Sequence, residues 1–163
     1  MKAITLWQPW ASLVIAGIKC NETRSWSTDY RGPLAIHAAK KPASEIAEFL
    51  SALDCVAFSD LLAKAGLPIV RNLPRGTILG TVDLIDCGKI KPVWNGGVME
   101  YTVADFHDGL LPIVPSMREK SMGDYTPGRF AWRLANPVAF AEPIPCRGMQ
   151  GLWTVPAGLP VSP

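Results

Sequence analysis

Lysine, glutamate and arginine stand at i, i+3 and i+5 in the stretch Gly17-Ile18-Lys19-Cys20-Asn21-Glu22-Thr23-Arg24. Three charges of mixed sign inside a segment that otherwise reads as a strand are costly unless they are paired or solvated in a cleft. A partly buried lysine can work as an acid, a base or an anion ligand, and a carboxylate beside it can exchange the proton. Glu22 with Arg24 can equally form a structural ion pair. Both readings stay open here.

Four further residues join this list. Trp10 and Trp26 flank the motif, and an aromatic face beside cations is how single-stranded nucleic acid or a splayed base is held; each is equally suited to a core. His37 is either a packed histidine or a cleft residue. Gln150 is either a turn residue or a reader of a base edge. His107 reads as incidental. The four cysteines, Cys20, Cys55, Cys87 and Cys146, lie far apart with no Cys-x-x-Cys pair. They predict free thiols, no metal site and a reducing compartment. No Gly-x-Ser-x-Gly, phosphate-binding glycine loop, His-Glu-x-x-His or dinucleotide fingerprint occurs.

The elements that must position these residues follow from pattern. Ala3 to Leu6 predicts a strand, and Pro9 opens a helix that stops at Gly17. If the next strand begins at Ile18, alternation points Lys19 and Glu22 to opposite faces. A late turn at Gly17 or a bulge would let them share one pocket. Leu34 to Ala38 predicts a strand that turns His37 away from its large apolar residues. Pro42 opens a helix with a stripe of Ile46, Phe49, Leu50 and Leu53, and a second helix runs from Ser59 as N-cap to Gly66. Gly76 to Cys87 is the longest strand signal; Gly80 within it marks a bend or a close backbone approach. Residues 88–101 read as loop, Thr102-x-x-Asp105 as a capping box, and 110–128 as a long loop carrying Arg118 and Lys120. Phe130 to Ala135 and Leu152 to Val155 read as strands.

Taken together with Gln8-Pro9-Trp10-Ala11, Tyr30-Arg31-Gly32-Pro33-Leu34-Ala35-Ile36-His37-Ala38, Gly123-Asp124-Tyr125-Thr126-Pro127-Gly128-Arg129-Phe130-Ala131-Trp132 and Gln150-Gly151-Leu152-Trp153, the motif resembles the ASCH domain family. The resemblance implies a PUA-like fold and association with RNA or another nucleic acid. Some small bacterial members deacetylate acetylated cytidine and at least one is a ribonuclease. The amidohydrolase type has a lysine at the position of Lys19, a nucleophilic threonine three residues later and a glutamate farther on. Here the position of the threonine holds Glu22, with Thr23 next to it.

At 163 residues the chain suits one domain, placed at 1–156 with a tail at 157–163. Fifteen prolines and fourteen glycines cut it into short pieces, which favours a small sheet-based fold over a helical bundle. A net charge of +2 is too mild to signal nucleic acid by itself, so local placement must do it. No stretch approaches the ~20 apolar residues of a membrane span, and a cytoplasmic monomer is expected. The expectation is thus a mixed α+β chain forming a mostly antiparallel PUA-like β-barrel with flanking helices. Its cleft, lined by Lys19, Glu22, Arg24, Trp26, Trp10, His37 and Gln150, binds RNA or a modified nucleotide without cofactor or metal. The alternative is a metal-independent hydrolase of RNA or a modified nucleoside with Lys19 and Glu22 as its acid/base pair.

Overall fold

The computed structural model describes residues 1–47, 52–104 and 113–161. Seven strands and four short helices follow one another as β1 (Lys2–Leu6), α1 (Trp10–Ile15), β2 (Asn21–Arg24), β3 (Gly32–Ala38), α2 (Ala43–Ala47), α3 (Ala52–Lys64), β4 (Thr77–Asn95), β5 (Val98–Ala104), α4 (Met117–Ser121), β6 (Phe130–Pro145) and β7 (Leu152–Thr154). A single 3-10 turn at Val70–Asn72 precedes β4. The strands pair in the order β2-β6-β4-β3-β1-β7, with β5 on β4. Mixed α/β character is as expected, but among the described residues no pairing joins β7 back to β2, so the sheet is not closed into a barrel. Strands β4 and β6 run beyond the expected strands at 76–87 and 130–135; they are 19 and 16 residues long.

The chain forms two compact units, Met1–Ile18 with Pro33–Val82 and Asn136–Pro163, and Lys19–Gly32 with Asp83–Ala135. In the first, β1 pairs in parallel with β3, Ile4 opposite Ile36, and antiparallel with β7, Ala3 opposite Trp153. Ala3, Ala35, Ile78, Trp153 and Val155 form a core that Phe140, Ile144 and Leu159 extend. Trp10 packs edge-on against Phe58 with ring centroids 5.4 Å apart. Helix α3 ends where Gly66, at φ +66°, reverses the chain and Leu67 N–H bonds to Leu62 O. Its start differs from expectation. Ser59 lies inside α3, because the residues from Ala52 onward contain no glycine or proline to interrupt it. The predicted stripe residues Phe49 and Leu50 lie outside the described residues.

In the second unit β2 runs antiparallel to β6, Glu22 opposite Trp132 and Thr23 opposite Ala131. The expected loop at 88–101 is a hairpin instead: β4 continues to Asn95, turns through Gly96 and Gly97 at φ +56° and +86°, and returns as β5. Gly-Gly suits such a two-residue turn, where both residues have positive φ. Thr102 is therefore a strand residue opposite Lys91; Asp105 and His107 lie outside the described residues. Ile90, Val103, Tyr125 and Ala131 form the core here.

Two more expectations change. The long loop at 110–128 contains α4, whose N-cap Ser116 accepts a hydrogen bond from Glu119 N–H. Nearby, Arg129 pairs with Asp124 at 3.2 Å. Strand β6 does not stop at Ala135; Asn136, at φ +50°, bends it ahead of Pro137 and it runs on to Pro145.

Candidate functional site

The charged motif lies in the second unit, and its geometry resolves the question of register. Gly17, at φ +71°, turns the chain late and β2 starts only at Asn21, so Lys19 stands outside the strand and alternation does not apply to it. Lys19 and Glu22 converge, Nζ to Oε2 at 3.7 Å. The ammonium also donates to the carbonyls of Asn21 at 2.5 Å and Met122 at 3.0 Å. Lys19 is 1% exposed. A buried ammonium has three protons to satisfy; two go to these carbonyls, and the Glu22 carboxylate balances the charge as an ion pair. Glu22 in turn holds Arg24, Nε to Oε1 at 3.2 Å.

A second carboxylate completes the cluster. Glu119, buried on α4, accepts from the backbone N–H groups of Asn21 at 2.9 Å and Cys20 at 3.2 Å. It thereby ties α4 to the start of β2. Thr23 ties the following loop, its Oγ1 accepting from Asp124 N–H at 3.0 Å. Burial, reinforced by the negative charges of Glu119 and Glu22, pushes the Tyr125 phenol above its ordinary value of 10 and keeps it protonated. Trp26 lies edge-on to the buried Trp132, centroids 4.6 Å apart, and its carbonyl accepts from the Trp132 indole at 3.3 Å. These contacts hold the motif in place through the protein's own groups.

The first unit contains a cavity of about 1020 Å³. Its lining brings together two residues singled out in the sequence, His37 and Gln150, with Thr5, Lys40, Arg75, Thr77, Arg147 and Met149. Among the described residues three cations and no Asp or Glu line it. Arg75 is committed to structure: its guanidinium donates to the carbonyls of Lys41, Arg71, Leu73 and Val70, which anchors the 3-10 turn while its charge stays at the cavity. Lys40, Arg147 and Gln150 are exposed. Trp10 is not among the lining residues.

His37 is 2% exposed on β3. Its Nε2 lies 3.0 Å from the Cys146 carbonyl; a carbonyl only accepts, so Nε2 carries the proton and Nδ1 is a bare acceptor. Trp153 packs edge-on to the ring at 5.8 Å and donates its indole N–H to Thr5 Oγ1 at 3.2 Å. Gly148 packs on the other side, where a Cβ would stand 2.3 Å from Cε1. Burial holds the imidazole below its ordinary value of 6.5, against the opposing pull of the Cys146 carbonyl. The unfolded chain therefore takes up this proton before the folded chain does. Stability is intact above pH 6.5 and falls as the pH drops toward the folded value. Urea midpoints are expected to decline as the pH falls below 6.5, with His37→Gln flattening that part of the curve. An unchanged slope in the variant would remove His37 from the account.

Sequence reasoning missed Glu119, although Ser116-x-x-Glu119 is a capping-box spacing. It also missed Lys40, Arg75, Thr77 and Arg147, which carry no local signal. Among the described residues no three His, Cys, Asp or Glu side chains gather as metal ligands would, and no helix is long and apolar enough to cross a membrane.

Comparison with known proteins places these observations. A family model described as the ASCH domain matches residues 4–143. Activating signal cointegrator 1 of Homo sapiens is 44% identical over 85 residues, and the protein of that name from Mus musculus is 41% identical over 85 residues. Each match covers 52% of this chain and 14% of the relative.

Proposed function

The chain belongs to the ASCH domain family, and from that premise we propose that it is a nucleic-acid-binding domain, RNA-related, that holds its ligand in the cavity of the first unit. The observation that carries this reading is the sign of the charge there: among the described residues, Lys40, Arg75 and Arg147 line the cavity and no carboxylate does. Such a surface attracts phosphates. The motif of Lys19, Glu22 and Arg24 belongs to the fold of the second unit. A modified nucleobase falls within the same reading, since Gln150 and His37 offer polar edges.

Titration of labelled single-stranded RNA at several salt concentrations tests it. Each phosphate contact contributes about 0.7 to the slope of log K against log salt for single strands, so Arg147→Gln and Lys40→Gln should each lower the slope by about that amount. Absence of binding, or affinity that ignores salt, would overturn the proposal. If Lys19 and Glu22 serve instead as acid and base of a hydrolase, the RNA is cut during the titration and Glu22→Gln slows the cutting by about a hundredfold.

A further inference from the structure

We infer that the cavity of the first unit takes one unpaired nucleotide, with its phosphate on the exposed cations Lys40 and Arg147 and its base turned to the buried polar wall of His37 and Thr77. This rests on the nucleic-acid reading above and adds which part of the ligand goes where. The cavity's polar groups differ in kind. Its positive charge available for a ligand sits on Lys40 and Arg147, both exposed, because Arg75 spends its N–H groups on backbone carbonyls. Its wall holds two buried polar atoms with no hydrogen-bond partner among the described residues, His37 Nδ1 and Thr77 Oγ1.

The chemistry of those two atoms sets the polarity of the ligand. Nδ1 is a lone pair, because the proton of the ring is on Nε2 against the Cys146 carbonyl. A lone pair repels phosphate oxygens and accepts from an N–H or O–H. Thr77 Oγ1 both donates and accepts. An uncharged group carrying a donor beside an acceptor suits this pair, and the hydrogen-bonding edge of a nucleobase has that pattern. In a duplex that edge is occupied by the opposite base, so the ligand is single-stranded. Gln150, exposed on the same cavity, offers an amide to a base edge, and Met149, 51% exposed, offers an apolar face to the ring. Gly148 packs on the His37 ring edge that carries Nδ1, with a Cβ there 2.4 Å from the nitrogen. Approach to Nδ1 therefore includes a shift of the 147–150 backbone.

The test compares three probes on the whole chain by fluorescence anisotropy: a short labelled single-stranded RNA, the same sequence closed in a hairpin stem, and, as competitor, inorganic polyphosphate, which has charge but no base. The single strand is expected to bind more tightly than the stem, and polyphosphate to compete weakly. Thr77→Val, which keeps the side-chain shape, should weaken the single strand about three- to tenfold and leave competition by polyphosphate unchanged. Gln150→Ala, on an exposed side chain, should reproduce the selective loss if Thr77→Val fails to fold. Equal affinity for strand and stem, with both variants unaffected, overturns the inference and leaves nucleic-acid binding standing. Failure of every probe to bind overturns the underlying reading as well.

Discussion

Lys19→Met should destabilise the chain by about 3–5 kcal/mol, the range for removing one partner of a buried ion pair. The substitution keeps the length of the side chain and deletes the ammonium. It leaves the carbonyls of Asn21 and Met122 and the carboxylate of Glu22 without their shared donor. A lysine that merely decorated an exposed strand would change stability by less than about 0.5 kcal/mol. Urea unfolding followed by tryptophan fluorescence separates the two, as a large fall in midpoint against none. The double variant Lys19→Met with Glu22→Gln should recover part of the loss, because no buried carboxylate then needs the missing ammonium, while Arg24, which loses its partner, is partly exposed to solvent. A midpoint within error of wild type would show that the ammonium is not held as described. Loss of RNA binding in Lys19→Ala would therefore report a damaged fold. Exposed cations such as Arg147 are the cleaner probes of ligand contact.

Gly80→Ala is expected to cost about 3 kcal/mol, the upper end of what overpacking does. A Cβ at this position in β4 would stand 2.1 Å from Val138 O and 3.0 Å from Ala139 Cα, both backbone atoms of β6. Flexible side chains can swing away from an added methyl; here the two strands must part. Thermal unfolding should show the loss, and wild-type stability in the variant would mean that the strands are farther apart than described. Gly123, where the nearest atoms to an added Cβ belong to the Thr23 side chain at 3.1 Å and beyond, should tolerate alanine better.

How much of this could be read in advance depended on the range of the interaction. Gly80 was legible, since a glycine inside a β-branched run has few purposes other than close approach. Strands β1, β3 and β7 were legible from alternation and composition. Gly96-Gly97 and Ser116-x-x-Glu119 were present as local signals and were passed over, which hid the hairpin and α4. The convergence of Lys19 and Glu22 was open because it depends on where β2 begins, and a late turn at Gly17 is a backbone choice that two-residue periodicity does not encode. Glu119 meets Asn21 across nearly a hundred residues of chain, so only the fold identifies it as a partner. The same holds for the cavity. His37 and Gln150 were conspicuous by residue type, whereas Lys40, Arg75 and Arg147 look like any surface cation until β3, β4 and the segment after β6 bring them to one place.

The interleaving of the two units in sequence governs how the chain can be made. The first unit needs β7 beside β1, with Lys2 opposite Thr154, so its sheet cannot be finished until residue 154 has been synthesised. The second draws only on Lys19–Gly32 and Asp83–Ala135 and has all of its strands earlier. During translation the N-terminal strand therefore waits, apolar and without its last neighbour, while residues between it and β7 emerge. Contacts this distant in sequence slow folding and leave a strand edge open to wrong partners in the meantime.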